Sequence, residues 1–154
     1  MLATFLHGLT LLSSATYGGT VVCFALLVAL YPRGRARSAE QVARVFQAAG
    51  PVMGLSMGAW VFALLVGRYL ARGGLHWSWD GGAARLDLAA WVVFAALWAS
   101  SFVLEIWTLE PVRVALAGDE PAEVERALRP VRVHLGANAV LFAVWCLLWA
   151  GTGG

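Results

Sequence analysis

Four apolar runs, about 2–30, 51–70, 88–109 and 131–150, alternate with three polar connections along this chain. A helix rises about 1.5 Å per residue, so a hydrocarbon layer of about 30 Å takes roughly 20 apolar residues. Each run meets that length. The third is free of charge from Leu88 to Leu104 and then meets Glu105, the one acid inside an apolar segment. A carboxylate in that setting needs a partner. Trp91, Trp98 and Glu105 recur every seven residues, with Ser101 and Thr108 flanking, which predicts a bundle-facing seam.

The connections read as loops with short helices. In the first, Pro32 and Gly34 end the first span. Ser38 and Gln41 then have capping-box spacing, which predicts an amphipathic helix over 39–48 with Val42, Val45 and Phe46 on its apolar face. The second connection is rich in Gly, with Trp77 and Trp79 as interfacial anchors and His76 as a surface residue. The third, 111–130, places Asp119 and Glu120 ahead of Pro121, a helix start, and a short charged helix then stops before Pro130. The pattern predicts one all-α domain over 1–154: an integral membrane four-helix up-down bundle with short amphipathic helices in the cytoplasmic loops. The N-terminal run has no basic residues before it and is longer than a signal-peptide core, so it reads as a retained first helix.

Composition strengthens this reading. The 154 residues are 60% hydrophobic and 13% charged, against about 25% charged in soluble domains. All eleven basic residues are Arg and they sit in short connections, which gives no nucleic-acid module. The first and third connections with their flanks carry Arg33, Arg35, Arg37, Arg44, Arg113, Arg126, Arg129 and Arg132, and the second carries Arg68, Arg72 and Arg85. The positive-inside rule therefore puts the first and third connections in the cytoplasm and both termini outside.

Small residues mark packing faces. Ser14 and Gly18 have small-xxx-small spacing in span one, as do Thr16 and Thr20. The cluster 13–20 reads either as a helix contact or as a hydroxyl-lined path. In span two, Gly50, Gly54 and Gly58 form a GxxxGxxxG ladder. It invites close contact with another helix, in the bundle or in a neighbouring subunit.

Candidate chemistry is sparse. Glu105, His134 and Asn138 fall at similar depths on spans three and four, so a polar clasp or a proton-handling or ligand site is expected there; Arg113 and Arg132 are the alternative partners for Glu105. Glu105 and His134 could serve as acid and base in a membrane enzyme. Cys23, Met53, Met57 and His134 are soft or borderline ligands in one half of the bundle, which leaves copper open. Packing is the plainer reading for Cys23, Cys146, Met53 and Met57. A bis-His haem would need His7 with His76. The sequence has no CxxC, P-loop or HExxH.

His7 followed by Tyr17-Gly18-Gly19 resembles the His…aromatic-Gly-Gly opening of CopD-like and related four-helix bacterial inner-membrane domains. That opening usually has Trp where this chain has Tyr17. The segment RVHLGANAVLF, holding His134 and Asn138, resembles the His…Asn start of a last helix in families of undefined activity, with a shorter His–Asn spacing. The resemblance implies a bacterial inner membrane and copper handling. Three functions follow in order: a non-enzymatic accessory or self-associating subunit within a homo-oligomer or larger membrane complex, a small carrier or metal- or haem-binding protein, and a membrane enzyme.

Overall fold

The computed structural model describes residues 2–30, 36–75, 77, 80–118 and 121–152. Helix α1 is Leu2–Leu30, α2 is Ala36–Arg72 and α3 is Gly82–Val103. A single π-helical turn, Leu104–Thr108, follows α3, then α4, Glu110–Ala117, and α5, Pro121–Gly151. Spans α1, α2, α3 and α5 alternate in direction as an all-α four-helix bundle. Helix α5 touches each of the other four. Both termini lie at one end, where Ala3, Arg72, Asp87 and Thr152 share a cavity wall. Helix α4 lies at the other.

Two buried clusters fill the bundle. Toward the terminal end, Tyr17, Val21, Met57, Trp60, Leu64, Phe94, Leu97 and Trp145 form an aromatic core. The Trp60 ring sits 4.6 Å from Trp145 and 4.9 Å from Phe94 between ring centres, both edge-on. That geometry suits the ring quadrupole and adds about 0.5–1.5 kcal/mol per pair to burial. Phe142 packs over Gly18, where any Cβ would strike its ring. A side chain at Gly18 would force that ring to shift, so the glycine leaves room for Phe142 of α5 against α1.

The second cluster joins Phe24 and Val28 of α1, Ala43 and Phe46 of α2, Val112 and Ala115 of α4, and Val124, Leu128, Val131 and Leu135 of α5. Its position corrects the reading of the connections. The segment 39–48 is the first part of α2, continuous through Pro51, and the charged helix before Pro130 is the first part of α5. An internal proline gives up one backbone hydrogen bond. Here the residues on both sides of each proline bury apolar side chains in one core, which keeps the helix going. Phe46 is buried as expected, but Val45 is exposed. Helix α4 replaces what reads as loop: Glu110 and Pro111 start it, and Val112 and Ala115 form its buried stripe.

The seam on α3 also shifts. Buried positions are Asp87, Ala90, Phe94 and Leu97, then Leu104, while Trp98 is 47% exposed. A seven-residue spacing fits one stripe of a helix, but the neighbouring stripe spaced by three and four is the one that meets α5. The first-connection arginines Arg33 and Arg35, with His76, Trp79, Asp119 and Glu120, lie outside the described residues, as do the Arg37 and Ser38 side chains.

The surface is apolar where four long helices could meet lipid. Leu55, Val133 and Leu147 are each at least 75% exposed, and Phe62, Val92, Phe102 and Val140 stand clear of the core. Soluble monomers seldom expose apolar patches beyond a few hundred Å². All four spans are long and apolar enough to cross a bilayer. The chain is a multi-pass membrane protein.

Candidate functional site

Two polar sites interrupt the apolar bundle, one at mid-span and one at the terminal end. The mid-span site is built on the last turns of α3. Ser100 Oγ donates to Asn138 Oδ1 at 2.5 Å. His134 Nε2 lies 2.8 Å from the Ser100 carbonyl, which can only accept, so Nε2 carries the hydrogen. The same Nε2 is 2.9 Å from Ser100 Oγ, and Nδ1 meets Thr108 Oγ1 at 3.1 Å. Both ring nitrogens are thus engaged. Next to this, Ser101 Oγ donates to the Leu97 carbonyl, which leaves the Tyr17 hydroxyl as donor to Ser101 Oγ. Asn138 is fully buried, and its Nδ2 has no acceptor among the described residues. An unmet buried donor costs about 1–3 kcal/mol.

Glu105 does not join this network. It sits in the π turn and pairs with Arg113, one of the alternatives the sequence offers, with its side chain 46% exposed. Gly50 lies beneath it, its would-be Cβ 3.6 Å from Glu105 Oε2. The three candidates Glu105, His134 and Asn138 therefore divide into a surface ion pair and a buried His–Ser–Asn clasp. An acid–base pair of Glu105 with His134 is not assembled.

The remaining candidates also separate. Cys23 is exposed on α1, Met57 is buried against the aromatic core and Met53 packs between the two clusters. The candidate copper ligands thus lie in different settings, and both His134 nitrogens are already engaged. Among the described residues no three His, Cys, Asp or Glu side chains group as a metal site. Four span-one hydroxyls turn back on their own helix: Thr10, Thr16 and Thr20 each donate to the carbonyl four residues back, and Ser14 to that of Leu11. In the glycine ladder only Gly50 faces the bundle. Gly54 and Gly58 are exposed, with nothing within 4 Å of an added Cβ.

The terminal-end site was not legible as a site in the sequence. Arg68 on α2 forks onto Asp87 on α3, its Nη1 2.8 and 3.0 Å from the two carboxylate oxygens. The side chains are 5% and 11% exposed. Arg72, one helical turn later, reaches the same carboxylate at 3.3 Å and is half exposed. Trp77 and Trp91 flank the Arg68 guanidinium, with ring centres 4.8 and 5.3 Å away. Beside this group is a cavity of about 450 Å³ lined also by His7, Thr10, Leu11, Leu64 and Trp149.

No protein-family model, characterised protein or solved structure matches this chain. His7 lines the terminal cavity, whereas Tyr17 belongs to the aromatic core and Gly18 lies against Phe142. The signal for the terminal site was the pair Arg68 and Asp87, each at the edge of an apolar run and facing each other once α2 and α3 run antiparallel.

Proposed function

We propose that this chain is a subunit of a bacterial inner membrane that works by association with other membrane helices, as a homo-oligomer or within a larger complex, and not by catalysis. The carrying observation is the outward half of the glycine ladder. Gly54 and Gly58 are one turn apart on the exposed face of α2, with open space above both. Small residues on a lipid-facing stripe let a second helix backbone approach closely, where dispersion and weak Cα–H contacts act over a long seam. Leu55, 77% exposed, stands beside the stripe and would pack at its side. The arginine excess, eight against three, supports first and third connections in the cytoplasm and termini outside.

The double variant Gly54→Leu/Gly58→Leu tests this. Neither glycine has a neighbour inside the bundle, so the fold is expected to survive. Native mass spectrometry of protein in mild detergent should then show the wild-type oligomer, or a co-purifying partner, lost to monomer. A wild-type protein that is already monomeric and alone, or an assembly unchanged by both leucines, would sink the proposal.

A further inference from the structure

We propose that the cavity at the terminal end binds the anionic head and upper chain of a membrane amphiphile, of the phosphatidylglycerol kind. The inference is independent of the association through α2, because it uses neither Gly54 nor Gly58. The site is chemically lopsided. Two guanidinium groups, Arg68 and Arg72, reach the carboxylate of Asp87. Arg68 is buried and forked onto that carboxylate, whereas Arg72 makes one longer contact and is half exposed. Arg72 therefore presents positive charge at the cavity wall. His7, also on the wall, is exposed and makes no described side-chain hydrogen bond. The Nε1 hydrogen of Trp91, another wall residue, has no acceptor among the described residues. The Arg72 guanidinium and the Trp91 N–H are donors suited to a phosphate or carboxylate.

The rest of the cavity decides between a free anion and an amphiphile. Below the arginines the wall is Leu6, Leu11, Ala63 and Leu64, with Leu70 at the side. Leu11 and Leu70 are 57% and 52% exposed, so this wall runs onto the lipid-facing surface. An occupant can enter sideways from the bilayer, keep its head at Arg72 and lay its first methylenes along α1 and α2. The volume, about 450 Å³, falls in the range of about 300–1,000 Å³ usual for small-molecule sites. It accommodates a headgroup and part of one chain, with the remainder left in lipid. The buried Arg68–Asp87 pair fixes the α2–α3 edge of the site, and its neighbours Trp77 and Trp91 keep the guanidinium in place.

The experiment uses the whole detergent-purified protein and native mass spectrometry with defined probes: phosphatidylglycerol, phosphatidylcholine and inorganic phosphate. One phosphatidylglycerol should be retained per chain in preference to phosphatidylcholine. Arg72→Gln should weaken that retention by about tenfold or more, the usual effect of removing one charge-assisted hydrogen bond. Arg72→Lys should recover part of it. Arg44→Gln, at the opposite end of α2 with its side chain 62% exposed, should change nothing. Equal retention of the two lipids, or equal loss from the Arg72 and Arg44 variants, overturns the proposal. Inorganic phosphate displacing the lipid at equal concentration would overturn the amphiphile and leave a site for a soluble anion. Thermal melts of each variant matching wild type establish that the changes report binding.

Discussion

At the scale of single residues, the two carboxylates of the third span, Asp87 and Glu105, exchange importance between sequence and structure. Glu105 stands out in the sequence because it follows seventeen uncharged positions, 88–104. In the bundle it is a half-exposed partner of Arg113, and exposed pairs contribute about 0–1 kcal/mol. Asp87 sits at the edge of its span and looks like a loop acid, yet it is buried with Arg68. Removing one partner of such a pair strands a buried charge at a cost of about 3–5 kcal/mol. Asp87→Ala is therefore expected to lower thermal stability in detergent strongly, and Glu105→Gln to shift it by less than about 1 kcal/mol. Comparable shifts for the two variants would contradict this ranking. Depth along the chain is readable from sequence, but rotation about the helix axis is not, and rotation decides which acid meets an arginine.

The four spans were legible in number and order, and their junctions were misread. Hydropathy marks the four spans because each must cover the same thickness. It cannot say whether a proline between an amphipathic stretch and a span ends the helix, since that depends on the core beyond. Pro51 and Pro130 both lie inside unbroken helices. The missed helix α4 is amphipathic over only two turns, too short for periodicity to distinguish from a loop. If it docks as a helix, its two faces should respond differently to truncation. Leu109, 6% exposed at the start of α4, packs in the second cluster, so Leu109→Ala should cost about 2–5 kcal/mol. Val114→Ala, on the 63% exposed face, should be close to neutral. Chemical denaturation of the two variants measures the difference, and equal effects would mean that α4 is not packed.

For the whole molecule, the membrane class and bundle architecture follow from composition and four long apolar runs, whereas the sites depend on side chains from helices far apart in sequence. The His134 clasp needs α3 and α5 in register, and the terminal cavity needs all four spans. Long helices also make the bundle unequal along its axis. At about 1.5 Å per residue, the 37 residues of α2 extend about 55 Å, well past a hydrocarbon layer of about 30 Å. The excess lies with α4 and the start of α5, which form a helical collar on the arginine-rich side. Reporter fusions should read the same compartment from both termini, with the periplasmic side expected and the α4 region cytoplasmic. Reporters active at opposite sides for the two termini would break the four-span topology.

The π turn gives that collar an unusual dependence. The Leu109 N–H reaches back five residues to the Leu104 carbonyl, so this turn holds one residue more than an α-helical turn. Each residue in an α-helix advances the chain by about 100°. Without the extra one, α4 would leave α3 rotated by roughly that angle, and Val112 and Ala115 would swing out of the core they now share with α5. The docking of the collar is thus set by counting as much as by chemistry. Substitutions between 104 and 108 can soften it, but a deletion of any one residue there would aim it elsewhere.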